Sequence, residues 1–133
     1  MIRIKETYCS FEVSKLLKEK GFDAQCRAAY TDYGQLFTTQ IQQYITNIIC
    51  SIGNLWECIA PTHQMTMKWL REEKNITIVI EPHTYDYINE KNKSYVCSLW
   101  AGDNYYEYLE SKDYPSYEDA VEAALKYCLE NLI

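Results

Sequence analysis

Apolar residues along this chain change their spacing several times, and each change predicts an element. Leu16 and Leu17 supply the stripe of a first helix that starts after Ser10, whose hydroxyl suits an N-cap, with Glu12 favouring the positive end of the dipole. Lys20-Gly21-Phe22 predicts its end, because glycine turns left-handed at no steric cost and Phe22 can fold back onto Leu17. Residues 23–37 have no firm period and read as loop with room for a short strand. Over 38–52, Thr and Ile favour a strand, but Ile41, Tyr44, Ile45, Ile48, Ile49 and Ile52 recur at helical spacing. Period therefore predicts a helix ending near Gly53-Asn54.

Pro61-Thr62 opens the next helix, with Thr62 as cap, running through Met65, Met67, Trp69 and Leu70 to about Lys74, where Asn75 ends it. On it, Trp69 and Leu70 are expected to face inward and Lys68 and Arg71 outward. Ile76, Ile78 and Ile80 then alternate with Thr77, Val79 and Glu81, the period of a half-buried strand. Beyond Pro82, Tyr85 and Tyr87 extend it past a bulge to a turn at 89–93. Residues 94–100 return, Gly102-Asp103 turns, and 105–110 make a third strand. Ser116 to Asp119 cap a last helix whose stripe is Ala120, Val121, Ala124, Leu125, Cys128, Leu129 and Leu132. The predicted fold is α+β in two layers within a single domain, 1–133: a three-stranded antiparallel meander packed against the C-terminal helix, with additional N-terminal and central helices.

Composition removes several classes. With 47% hydrophobic residues, 4 Gly and 3 Pro in 133 residues, the chain is neither disordered nor a repeat or linker protein. Thirteen basic against nineteen acidic residues give a net charge of −6, which disfavours nucleic acid and anionic membranes. Residues 103–130 hold eight acidic and two basic side chains, so the whole surplus sits in this one segment. The opening residues lack a secretory pattern and no apolar run approaches a membrane span of about 20 residues, so a soluble cytoplasmic protein is expected. Its six cysteines then read as reduced thiols.

Three blocks, CSFEVSKLLKEKGF at 9–22, APTHQMTMKWLREEKNITIVIE at 60–81 and YPSYEDAVEAALKYCLENLI at 114–133, cover 56 residues. Together they resemble a family of uncharacterised small proteins encoded by phages and prophages of gut Bacteroides-type bacteria. The resemblance implies a phage-related origin and brings no activity, cofactor or catalytic residue with it.

The chemistry-bearing residues give three readings. Cys58 and His63, with His83 and Cys97 further along, have the donor types of a zinc site, and Cys58 with His63 or His83 those of a thiolate–imidazole enzyme. No close ligand pair and no third orienting group accompany them, so neither metal nor cofactor is expected and the enzyme is the alternative reading. Lys68, Arg71 and Lys74 share a helix side beside Trp69 and could grip phosphates, although Glu72 and Glu73 offset them. Thirteen tyrosines are the main compositional anomaly, six of them in or beside the acidic segment. Tyrosine offers large area with few rotors and a polar tip, which suits interfaces. The favoured reading is a non-enzymatic accessory protein that binds a protein partner, a basic one by charge, through Tyr105, Glu107, Tyr117, Glu118, Asp119 and Glu122.

Overall fold

Contacts in the computed structural model, which describes residues 1–39, 43–53, 56–83 and 94–133, fall into two groups, Met1–Met65 and Thr66–Ile133. Each group builds its own three-stranded antiparallel sheet, and with four helices among the described residues the architecture is mixed α+β.

In the first unit, helix α1 spans Phe11–Glu19. Ser10 Oγ accepts from Val13 N at 3.1 Å and so satisfies one of the orphan amides of the first turn. At the other end Gly21 takes φ 85°, and Phe22 N donates to Leu17 O at 2.9 Å, the six-to-one closure expected of this glycine stop. Strands β1 (Ala28–Tyr30), β2 (Leu36–Thr38) and β3 (Cys58–Ile59) form a sheet in the order β2-β1-β3. The fully buried Ala28 and Ala29 let neighbouring chain approach this central strand closely. Tyr30 Oη donates to Cys9 O at 2.6 Å, so the buried ring leaves no orphaned hydroxyl. Residues 23–37, read as mostly loop, thus supply the middle of a second sheet. Its pairs lie far apart in sequence, as in Ala29 with Ile59, and local periodicity carries no trace of them.

The helix predicted over 38–52 is shorter. Helix α2 covers Asn47–Gly53 only, while Ile45 exchanges backbone hydrogen bonds with Cys26 and Tyr44 is exposed. Ile41 and Asn54 fall outside the described residues. The apolar stripe also faces the wrong way: Ile48, Ile49 and Ile52 are 62%, 50% and 77% exposed, whereas Asn47 and Cys50 are buried. Polar pinning explains the rotation. Asp23 Oδ1 accepts from Asn47 N at 2.6 Å, and the Asn47 side chain donates to Phe22 O at 2.7 Å and accepts from Ile59 N at 3.0 Å.

Helix α3 spans His63–Lys74, starts with Thr62 Oγ1 accepting from Met65 N at 3.2 Å, and ends at Asn75 in left-handed conformation. Leu70 is buried as expected, but Trp69 is only half-buried, with Lys74 Nζ lying 5.4 Å from its ring centre.

In the second unit, β4 (Ile76–His83), β5 (Ser94–Ala101) and β6 (Asn104–Tyr106) make the expected meander. β4 runs through Pro82 without a bulge as far as His83, because an edge strand tolerates a missing donor on its open side. Tyr85, Tyr87 and the turn at 89–93 lie outside the described residues. The third strand stops at Tyr106 instead of reaching 110. Tyr108, Glu110 and Ser111 take left-handed φ of 51°, 57° and 50°, and a 3-10 turn at Leu109–Ser111 tucks Leu109 into the core. Helix α4, Tyr117–Asn131, starts with Ser116 Oγ accepting from Asp119 N at 3.0 Å. Its stripe of Ala120, Val121, Ala124, Leu125, Cys128 and Leu129 is fully buried and packs on β5 and β4.

Candidate functional site

Strand alternation sorts the second sheet into two faces. Cys97, Leu99 and Tyr106 turn toward α4, where the Tyr106 and Tyr127 rings meet at 6.4 Å. The opposite parity carries Glu81 and His83 on β4, Val96, Ser98 and Trp100 on β5 and Tyr105 on β6. On that face lies an open cleft of about 400 Å³. β4 contributes Glu81 and His83, β5 contributes Val96 and Ser98, and the chain leaving β6 contributes Tyr105, Glu107, Tyr108 and Ser111. Among the described residues no lysine or arginine lines it.

The early end of β6 is what makes the cleft. Left-handed backbone at a non-glycine residue costs roughly 1 kcal/mol or more, so three such residues need outside support. Leu109 supplies it by burial, Ser98 Oγ by accepting from Tyr108 N at 3.0 Å, and Tyr108 O by accepting from Ser111 N at 3.0 Å. The curl brings Tyr108 back over the sheet, where its hydroxyl donates to Asp113 Oδ1 at 3.0 Å and its ring meets His83 edge-on at 6.0 Å. His83 Nδ1 lies 3.0 Å from the same Asp113 oxygen. A carboxylate only accepts, so Nδ1 carries a proton and the ring is held in one orientation. Beside the cleft, Trp100 and Tyr105 stack at 4.7 Å with planes 33° apart, both nearly half-exposed.

Of the six residues in the predicted binding surface, the structure brings Tyr105 and Glu107 together in this cleft. Tyr117, Glu118 and Asp119 are exposed at the start of α4, and Glu122 is half-buried one turn on. The two groups are separate. Tyr117 meets Tyr95 edge-on at 6.1 Å, whereas Tyr105 pairs with Trp100, five residues along β5 and on the other face of the sheet, roughly 17 Å away by strand rise.

The thiol candidates fare differently. Cys58 is buried with Ala28, Tyr30 and Ala60, and burial pushes its pKa up to about 12. A thiol so disposed is a poor nucleophile near neutral pH. Burial likewise pushes Cys26 and Cys128 up to about 12 and Cys97 to about 11. His63 is buried too, with a ring nitrogen within 4.8 Å of Cys9 Sγ; the paired segments 7–9 and 61–63 bring the two side chains together. On α3, Lys68 faces Glu72 at 3.9 Å and both are exposed. Sequence reasoning weighed His83 only as a metal or thiol partner and missed Asp113, Tyr108 and Glu81. The one local signal was the crowding of tyrosine and carboxylate over 105–114.

A scan against protein-family models finds no match, comparison with curated proteins finds none, and a search of solved structures finds no match either. No helix among the described residues is long and apolar enough to cross a membrane.

Proposed function

We propose that this chain is a phage- or prophage-type accessory protein that acts by binding a basic protein partner rather than by catalysis. The observation that carries this reading is the cleft on the outer face of the second sheet. It presents Glu81 and Glu107 together with Tyr105 and Tyr108, with no lysine or arginine in the lining among the described residues. Carboxylates beside tyrosines give a partner both steering charge and large, rigid contact area. The three blocks quoted above support the phage-type origin. Against the enzymatic alternative stands the raised pKa of the buried Cys58, and against nucleic acid the pairing of Lys68 with Glu72 and the net charge of −6.

Affinity capture from a bacterial lysate with the parent protein and with a Glu81→Gln/Glu107→Gln double variant tests the reading. A basic protein should be retained by the parent, elute at moderate salt and be missing from the variant. Identical retained proteins on both columns would overturn it.

A further inference from the structure

We infer that the cleft beside Trp100 and Tyr105 receives an arginine side chain of the partner, and selects it over lysine. The assignment rests on the partner being basic. Two observations narrow a general cation to a guanidinium. The first is the acidic lining itself: Glu81 and Glu107 both line the cleft, where no lysine or arginine stands beside them among the described residues, so the lining offers a cation two carboxylates. The second is independent of charge: Trp100 and Tyr105, 4.7 Å apart and 33° from parallel, leave indole and phenol surface exposed at the cleft's edge, with Tyr105 also part of its lining.

An ammonium is a compact, strongly hydrated point charge that gains little from a flat ring in contact with water. A guanidinium is planar and weakly hydrated, stacks on aromatic faces, and presents a fork of donors that matches a carboxylate two bonds at a time. A site offering a stacked aromatic surface next to carboxylates fits that combination. The His83–Asp113–Tyr108 hydrogen bonds hold the cleft wall in place, so little ordering remains to be done on binding. The same chain already makes such a contact elsewhere, where the Arg27 guanidinium lies 5.1 Å from the Tyr44 ring centre and donates to its hydroxyl at 2.9 Å.

The test titrates the full chain with three capped glycine tripeptides bearing arginine, lysine or citrulline at the centre. The indole N–H signal of Trp100 is followed by NMR, assigned with Trp100→Phe. Citrulline keeps the planar shape of arginine and removes its charge. The arginine peptide should shift the indole signal saturably, with the lysine peptide roughly three- to five-fold weaker for want of the stacked contact. The citrulline peptide should be about ten-fold or more weaker for want of the charged hydrogen bonds. Glu107→Gln should weaken the arginine peptide to a similar degree while leaving the amide spectrum of the fold unchanged. An indole signal that does not move, equal response to all three peptides, or an unaffected Glu107→Gln would each overturn the assignment. Its failure is distinguishable from failure of the binding role. If the lysate partner is lost from the double variant but arginine has no preference over lysine, the basic partner stands and the arginine pocket falls. If arginine is preferred but no captured protein depends on Glu81 and Glu107, the reverse holds.

Discussion

Asn47 satisfies two backbone groups at once, donating to Phe22 O at 2.7 Å and accepting from Ile59 N at 3.0 Å, in a side chain that is 6% exposed. A buried group left without its partner costs about 1–3 kcal/mol. Asn47→Leu should therefore destabilise the protein by roughly 2–4 kcal/mol in urea unfolding, although leucine suits a helix better than asparagine does. The cysteines make a second prediction at this scale. Burial raises Cys58 from an ordinary value of 9.0 to about 12, with Cys26 and Cys128 alike, so the fold favours the protonated thiol. The resulting stabilisation is complete below pH 9 and is lost as pH rises from 9 towards 12, where the unfolded chain releases protons that the folded one keeps. Denaturant titrations across that window should show falling stability from these thiols. At pH 8 a thiol reagent should modify them slowly in the native protein and promptly after unfolding.

Helix α2 and helix α4 carry comparable apolar patterns and end in opposite situations. On α4 the stripe is buried against β5 and β4, so Leu125→Ala should cost about 2–5 kcal/mol and Ser116→Ala, which removes the cap, about 1 kcal/mol. On α2 the isoleucines face outward, and Ile52→Ser, at a position 77% exposed, should change stability by about 0.5 kcal/mol or less in the same thermal or urea measurements. A large loss for Ile52→Ser would mean that another surface covers this helix. Periodicity reports that a helix has an apolar side, but it is silent on where that side points when polar contacts such as those of Asn47 dictate the rotation. β6 teaches a related lesson. Tyr105, Tyr106 and Glu107 alternate like a strand, yet Leu109 is drawn into the core and the chain leaves the sheet two residues after Asn104.

For the molecule as a whole, the acidic segment 103–130 contributes to two surfaces, Glu107 to the cleft and Glu118 and Asp119 to the start of α4. They lie on opposite faces of the sheet, roughly 10 Å apart through the packed layers, which exceeds the screening length of about 8 Å at physiological salt. Glu118→Lys/Asp119→Lys should accordingly change the association rate with the basic partner less than Glu81→Gln/Glu107→Gln does at 0.15 M salt. The two should become comparable only in dilute buffer, where stopped-flow measurements across a salt series separate them. Much of the fold was legible without coordinates. The helix ends at Ser10, Gly21, Thr62, Asn75 and Ser116, the alternation along β4 and the buried stripe of α4 all follow from residues within a few positions of one another. Helical capping and strand or helix period are interactions of that range, so the sequence by itself determined them. The sheet β2-β1-β3, the rotation of α2 and the meeting of His83 with Asp113 across 30 residues required the tertiary structure. Each draws its free energy from partners distant along the chain, and no local pattern records which distant partner a strand, an asparagine or a histidine will find.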